Sequence, residues 1–269
     1  MLFCFGYGYV AQFMGESGTS RSPQGKNQFL YRGGAFSKDV RKALEKANGV
    51  LISIPPQEDN DILIPFVKEA LSSWTHLQWI GYLSSTSVYG DHQGVWVDET
   101  SVTHPTTIYG RARLQAEQQW LTLGEKEGLP VHIFRLAGIY GPRRNLLEDL
   151  KAGKAQRIFK EGVVFSRIHV ADIVQTLKAS QKNPIPGRIY NVADNCPASL
   201  ADVVAYGAKL LGIDAPPLIP YEEANLTPMG RSFYQDSKKV CNQRLLQELI
   251  PSLLFPTYKE GLRALNLGL

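Results

Sequence analysis

An apolar tetrad, LFCF (residues 2–5), runs directly into GYGYVA (6–11). A buried strand that enters a glycine turn and then a helix has this form. In such a turn Gly6 permits the sharp bend, Gly8 lets the backbone approach a phosphate, and Ala11 lets the helix pack closely on the strand. The amides and dipole of the helix N-terminus favour negative charge at that spot. A plain glycine turn is the simpler alternative. The apolar run immediately before it favours the phosphate reading.

Further apolar runs follow at intervals: GVLISIPP (49–56), HLQWIGYLSS (76–85), LPVHIFRLAGIYGP (129–142) and IYNVAD (189–194). Between them lie stretches of helical pattern, DVRKALEKA (39–47), IPFVKEALSSW (64–74) and residues 109–123, the last ending near Gly124. Strands alternating with helices predict a doubly wound, parallel α/β sheet of the Rossmann type, covered on both faces. Beyond Gly141 the segments shorten and prolines multiply (Pro184, Pro186, Pro197, Pro216, Pro217, Pro220) before the apolar helix LADVVAYGAKLLG (200–212). The expectation is one nucleotide-binding domain over 1–269, with a small C-terminal substrate lobe mainly in 142–187 and 195–269.

Lysine and arginine exceed acidic residues by 29 to 25 and are scattered, which argues against a nucleic-acid partner and suits an anionic small molecule. Cys4, Cys196 and Cys241 are too few and too far apart for zinc or a disulfide framework, so no metal is expected. MLFCFGYGYV has no basic n-region or cleavage site, and no apolar run approaches the roughly 18 residues that span a bilayer. A cytoplasmic protein without a membrane partner is expected.

Three clusters carry candidate chemistry. SRS (20–22) places Arg21 and Ser22 where the second strand of a dinucleotide fold meets the adenosine ribose; there an arginine accommodates a 2′-phosphate, unless it is simply a solvated loop residue. SSTSVYG (84–90) puts hydroxyls at the end of a buried strand, where ligands bind in open α/β sheets, although such serines also serve as turn formers. IYGRAR (108–113) sets Tyr109 and Arg113 four apart, on one face of a helix.

Read in order, GYGYVA, SSTSVYGD, YGRARLQAEQQW, FRLAGIYGPRRN, SRIHVADIV, IYNVADNCPASLADVV and YKEGLRAL resemble an extended short-chain dehydrogenase/reductase of the NAD-dependent epimerase/dehydratase family. The likeness is greatest to that family's atypical bacterial members. The resemblance implies that Gly6, Gly8, Tyr9, Val10 and Ala11 form the pyrophosphate turn. It makes Ser85 the catalytic hydroxyl and Tyr109 the acid/base. Pro55, Ser84, Arg21, Ser22, Tyr109, Arg113, Ala137, Gly138 and Ile139 then complete the cofactor site. Substrate contacts are expected from Thr86, Tyr140, Arg143, Arg144, Asn145 and Arg231, and His169 is expected to be a buried structural residue. The implied cofactor is NADP, with NAD as the alternative. The implied substrate is a small molecule, with a nucleotide sugar favoured by arginines that would face its diphosphate. Relatives that pair through their long helices suggest a homodimer.

Two departures stand out. Family members have Tyr-x-x-x-Lys, whereas this chain has Tyr-x-x-x-Arg. Lowering a phenol from about 10 to about 7 takes roughly 4 kcal/mol, and a cation about 4 Å away supplies on the order of 4 kcal/mol at an effective dielectric near 20 but about 1 in water. Arginine therefore meets the electrostatic demand in a sheltered site, while its planar fork differs from a compact ammonium in reach. The first crossover is also short: about a dozen residues separate the glycine turn from Arg21, where helix, loop and strand ordinarily take roughly 20 or more. Residues 9–17 are expected to form two turns or fewer, unless residues are missing between Gln12 and Gly18. Both departures keep open a second function class, an NADP-binding sensor or regulatory protein whose catalysis has lapsed. The leading expectation is an NAD(P)-dependent oxidoreductase, epimerase or dehydratase acting at a hydroxyl or carbonyl carbon.

Overall fold

The computed structural model describes residues 1–15, 17–57, 61–70 and 76–268. Its first half runs β1 (Leu2–Phe5), α1 (Tyr9–Met14), β2 (Ser17–Ser20), β3 (Gln28–Leu30), α2 (Lys38–Glu45), β4 (Gly49–Ile52), α3 (Ile64–Ala70), β5 (Trp79–Ser85), β6 (Trp96–Val97), α4 (Ile108–Glu127) and β7 (Val131–Leu136). Seven strands form the main sheet, in the order Ile189–Val192, β7, β5, β4, β1, β2, β3. The pairs β1–β2, β1–β4, β2–β3 and β4–β5 are all parallel. This is the doubly wound Rossmann-type α/β fold. Strands β1 and β4 are buried at every residue, as unbroken apolar runs in a sheet covered on both faces require.

The chain leaves β1 toward β2 and β3, then crosses back to lay β4 on the other side of β1. Ligands of open α/β sheets bind at such a switch point, beyond the carboxyl ends of the strands. Here the backbone N–H groups of Ser53 and Ile54, just after β4, donate to the Phe5 carbonyl at 2.8 and 3.1 Å. Phe3, Phe5, Ile52, Ile80, Tyr82 and Trp120 are core residues beneath this edge.

The first crossover helix has six residues and ends at Gly15, whose φ of 76° only glycine adopts readily. A side chain on Gly18 would collide with the Cys4 carbonyl, so glycine is what lets β2 lie against β1. The expected helix 64–74 is seen as α3, and its positions 71–74 lie outside the described residues. Helix α4 runs past Gly124 to Glu127. A Cβ at Gly124 would approach the Val131 side chain to 3.0 Å, so this glycine serves close packing of α4 on β7 rather than ending the helix. The chain turns instead at Gly128, where φ is 66°.

Two compact units divide the chain: 1–88 with 108–135 and 174–190, and 89–107 with 136–173 and 191–269. The second contains β8 (Gly138–Tyr140), parallel to Arg167–His169, and pairs β6 with Lys239–Val240. Its core gathers Tyr140, Leu147, Leu150, Val204, Tyr258 and Leu262. The helix Leu200–Leu211 is capped by Ser199, whose Oγ accepts from the Asp202 N–H, and is stopped by Gly212 at φ 67°.

Candidate functional site

The turn after β1 is held from β2. Gly6 donates its N–H to Thr19 Oγ1 at 2.9 Å, and Tyr7 donates to the Thr19 carbonyl at 2.6 Å. Gly6 has φ 89°, and a Cβ on it would press on the Ile54 backbone nitrogen at 3.0 Å. Thr19, 1% exposed, is a site-supporting residue that sequence reasoning missed, because one threonine in a short polar strand carries no periodic signal. Gly8 caps α1 without any side-chain hydrogen bond, and a Cβ there would meet nothing within 4 Å. An uncapped helix start with open space before it fits a pyrophosphate. Tyr9 packs edge-on against Phe13, while Val10 and Ala11 are buried, so their side chains belong to the core.

Arg21 and Ser22 lie exposed just beyond β2. The Ser22 N–H donates to Ser20 Oγ at 3.1 Å, and Arg32 Nη2 reaches the Arg21 carbonyl at 3.4 Å. Among the described residues the Arg21 guanidinium takes no partner. Arg32 is a second cation at this spot, coming from the far end of β3, and its distance in sequence hid it from motif reading.

Ser85 closes β5, and its Oγ accepts from the Ser87 N–H at 3.1 Å, a local turn bond that leaves its own O–H to donate. Ser84 is buried, and its Oγ has no partner among the described residues. Thr86 opens a single 3-10 turn, Thr86–Tyr89, and Pro55 is exposed beyond β4. Tyr109 is the second residue of α4 and is 68% exposed. Its hydroxyl forms no hydrogen bond to Ser85 or any other described residue. Arg113, one turn further, is half-buried and bonded to β5: its Nη1 donates to the Leu83 carbonyl and, at 3.5 Å, to the Tyr82 hydroxyl. The first unit therefore assembles the glycine turn with the β4 exit, and Arg113 with the end of β5 that carries Ser85. It does not join Tyr109 to Ser85.

The remaining expected residues lie in the second unit. Ala137 is buried, Gly138 is exposed and Ile139 is half-buried on β8. Tyr140 is 8% exposed and stacks edge-on against His169 at 5.1 Å, a placement suited to the core rather than to a substrate contact. Arg143 is exposed with φ 63°, a left-handed conformation uncommon outside glycine. Arg144 is exposed and exchanges backbone hydrogen bonds with Gly141 at 2.9 and 3.0 Å. Asn145 caps the helix Leu146–Lys151, its Oδ1 accepting from the Leu147 and Glu148 N–H groups. Exposed Arg231 lies 5.4 Å over the Tyr221 ring and donates to the Ala224 carbonyl.

Beneath β8 sits a buried titratable group of side chains. Burial pushes the Asp194 carboxyl up to about 7 and Asp172 up to about 6. Burial also drives the His169 imidazole down to about 4, while its Nδ1 accepts from the Ala171 N–H. His169 is thus a neutral, buried, hydrogen-bonded residue. Among the described residues no three His, Cys, Asp or Glu side chains gather as a metal site, and no helix is long and apolar enough to cross a membrane.

The profile of the NAD dependent epimerase/dehydratase family matches residues 69–193. Protein YeeZ of Escherichia coli K12 is 32% identical over 212 residues, covering 76% of this chain and 72% of that protein. The chain belongs to the NAD-dependent epimerase/dehydratase family. A functionally unknown conserved protein from Silicibacter pomeroyi has a similar structure, with a TM-score of 0.87 and 42% identity over 99% of this chain and 98% of that one. UDP-glucuronic acid 4-epimerase from Bacillus cereus, in complex with NAD, superposes with a TM-score of 0.73 at 17% identity, covering 98% of this chain and 95% of its own. That last likeness is one of fold.

Proposed function

We propose that the protein binds NADP(H) on its first unit and acts at a hydroxyl or carbonyl carbon of a small molecule, with a nucleotide sugar as the favoured class. The observation that carries this reading is the juxtaposition at the strand ends: an uncapped helix start after Gly6–Gly8, and Arg113 fastened to β5 two residues before Ser85. The residues present fit a dinucleotide. Gly6, Gly8 and the first turn of α1 would hold its pyrophosphate, Arg21 with Arg32 a 2′-phosphate, and Arg113 the nicotinamide ribose. Bound there, a nicotinamide would supply hydride transfer.

The chain's own groups have the remaining tasks. The Ser85 O–H would donate to the substrate oxygen, while the Tyr109 phenol would give or take that oxygen's proton. Arg113, four residues further along α4, would place a positive charge on the same helix face. On the second unit by itself, exposed Arg143, Arg144 and Arg231 are cations of the kind that attract a diphosphate. A nucleotide-sensing role is favoured by one observation, the exposed Tyr109, whose hydroxyl has no hydrogen bond among the described residues.

Titration of intrinsic and nicotinamide fluorescence with NADPH and NADH tests the reading, followed by turnover assays against nucleotide sugars. Binding with turnover is the expected result. Binding without turnover would assign the sensor role, and no binding of either dinucleotide would overturn both.

A further inference from the structure

Arginine at position 113 raises a question of geometry, since one guanidinium has to be held in place and still leave donors free. Its Nη1 points down, to the Leu83 carbonyl and the Tyr82 hydroxyl. Among the described residues its Nε and Nη2 take no hydrogen-bond partner, while the charge as a whole acts on the buried Asp61 carboxyl. The fork is therefore split, one arm hydrogen-bonded within the protein and the others without a hydrogen bond among the described residues.

What lies under the buried arm is unusually well fixed. Tyr82 is fully buried, and the Arg113 guanidinium carbon sits 5.8 Å from its ring centre, within cation–π range. The Tyr82 ring stacks on Trp120 with centroids 6.5 Å apart and planes 29° from parallel. The Trp120 indole N–H donates to Asp61 Oδ2 at 3.0 Å, and Asp61 Oδ1 accepts from the Leu63 N–H at 2.8 Å. Asp61 is 3% exposed, so its position is set by these bonds. Burial raises the Tyr82 phenol well above its ordinary range, so it remains a neutral hydroxyl whose oxygen accepts from Arg113. A lysine ends one bond sooner than an arginine and carries a single nitrogen. It has no second arm to leave in this floor while another meets a ligand.

We infer that Tyr82 is a positioning residue for Arg113: its hydroxyl, fixed through Trp120 and Asp61, anchors Nη1 so that Nε and Nη2 face the ribose hydroxyls of the bound dinucleotide. The inference rests on the dinucleotide reading above. It explains how this chain does with arginine what its family does with lysine, and it assigns a role to a tyrosine outside every motif.

Tyr82→Phe keeps the ring, the stack on Trp120 and the core volume, and removes only the hydroxyl. The test is a double-mutant cycle on NADPH dissociation constants, comparing the native chain, Tyr82→Phe, Arg113→Lys and the double variant, with melting temperatures as a control on folding. Tyr82→Phe in the native background should weaken NADPH by about two- to tenfold, the worth of one hydrogen bond. In the Arg113→Lys background the same change should have no effect, because the shorter ammonium does not use the anchor. Coupling of this kind separates positioning from support of the fold. An equal loss in both backgrounds, or no loss in either, overturns the assignment while leaving the dinucleotide reading intact. Failure of the native chain to bind NADPH or NADH overturns both.

Discussion

Arg135, near the end of β7, grips the carboxylate of Glu117 on α4, with its Nε at 3.1 and 3.2 Å from the two oxygens and its Nη2 at 2.8 Å. The pair is almost fully buried, with side-chain exposures of 5% and 2%. It fastens α4 to β7 one turn beyond Arg113, so the helix carrying Tyr109 is pinned at Arg113, Glu117 and Trp120 to three different parts of the first unit. Removing one member of a buried pair leaves the other charge uncompensated, which typically costs ~3–5 kcal/mol. Glu117→Ala should lower the unfolding free energy by about that amount in urea denaturation. A loss below about 1 kcal/mol would mean that other partners satisfy Arg135 without Glu117.

Substitutions at Arg113 separate charge from shape. Arg113→Lys should keep or improve turnover, because it retains the positive charge at this position in a more compact form. Arg113→Met should abolish turnover, since the site would lose its cation, while nucleotide binding should weaken by about tenfold or less. Steady-state rates and NADPH titrations on both variants check this. If Arg113→Met retains native turnover, the catalytic role falls to another cation.

Arg21 and Arg32 give cofactor choice a specific test. A charge-assisted hydrogen bond to phosphate is stronger than a neutral one, and arginine makes two in parallel. Arg21→Ala should reduce NADPH affinity by roughly tenfold and leave NADH nearly unchanged. Arg32→Ala should act in the same direction. Equal losses for NADPH and NADH would show that these residues support the loop beyond β2 and do not read the 2′-phosphate.

The sheet was legible because its strands are apolar runs ended by glycine, proline, serine or aspartate: 2–5, 49–56, 76–85, 129–142 and 189–194 each contain a strand of the main sheet. The pattern failed where burial depends on a neighbour's backbone. Strand β2 reads SGTS and contains no large apolar residue, yet it is held against β1 because Gly18 admits the Cys4 carbonyl. Gly124 looked like a helix stop and proved to be a packing position, since periodicity does not reveal what lies across from a helix. Gly6 and the Tyr109–Arg113 pair stand out in the sequence by spacing, and Ser85 by the family resemblance. The residues packed around them do not stand out: Thr19, Asp61, Tyr82 and Trp120 join through contacts far apart in sequence, and none belongs to a local pattern. Tyr140 illustrates the converse, a motif residue that the fold turns into its core.

The second unit offers a prediction with a defined sign. Asp194 is 1% exposed; its Oδ1 accepts from the Cys196 N–H, and its Oδ2 has no partner among the described residues. Burial is the leading cause of its rise to about 7, with Asp172 and Glu260 adding to it and Arg167 opposing it. In the unfolded chain an aspartate titrates near 4. Between about pH 4 and 7 the folded state therefore holds a proton here that the unfolded state has released, so this group's contribution to stability falls as pH rises through that window and is flat above it. Asp172, raised to about 6, acts in the same direction, while His169, lowered to about 4, acts in the opposite one. The comparison must therefore be between variants rather than on the native curve alone. Asp194→Asn removes the ionisation and keeps the acceptor for Cys196. Its stability relative to the native chain should improve steadily from about pH 4 to about pH 7 and then level off, as read from urea denaturation at each pH. A stability difference that does not change with pH would show that Asp194 is ionised in the folded protein across the whole range.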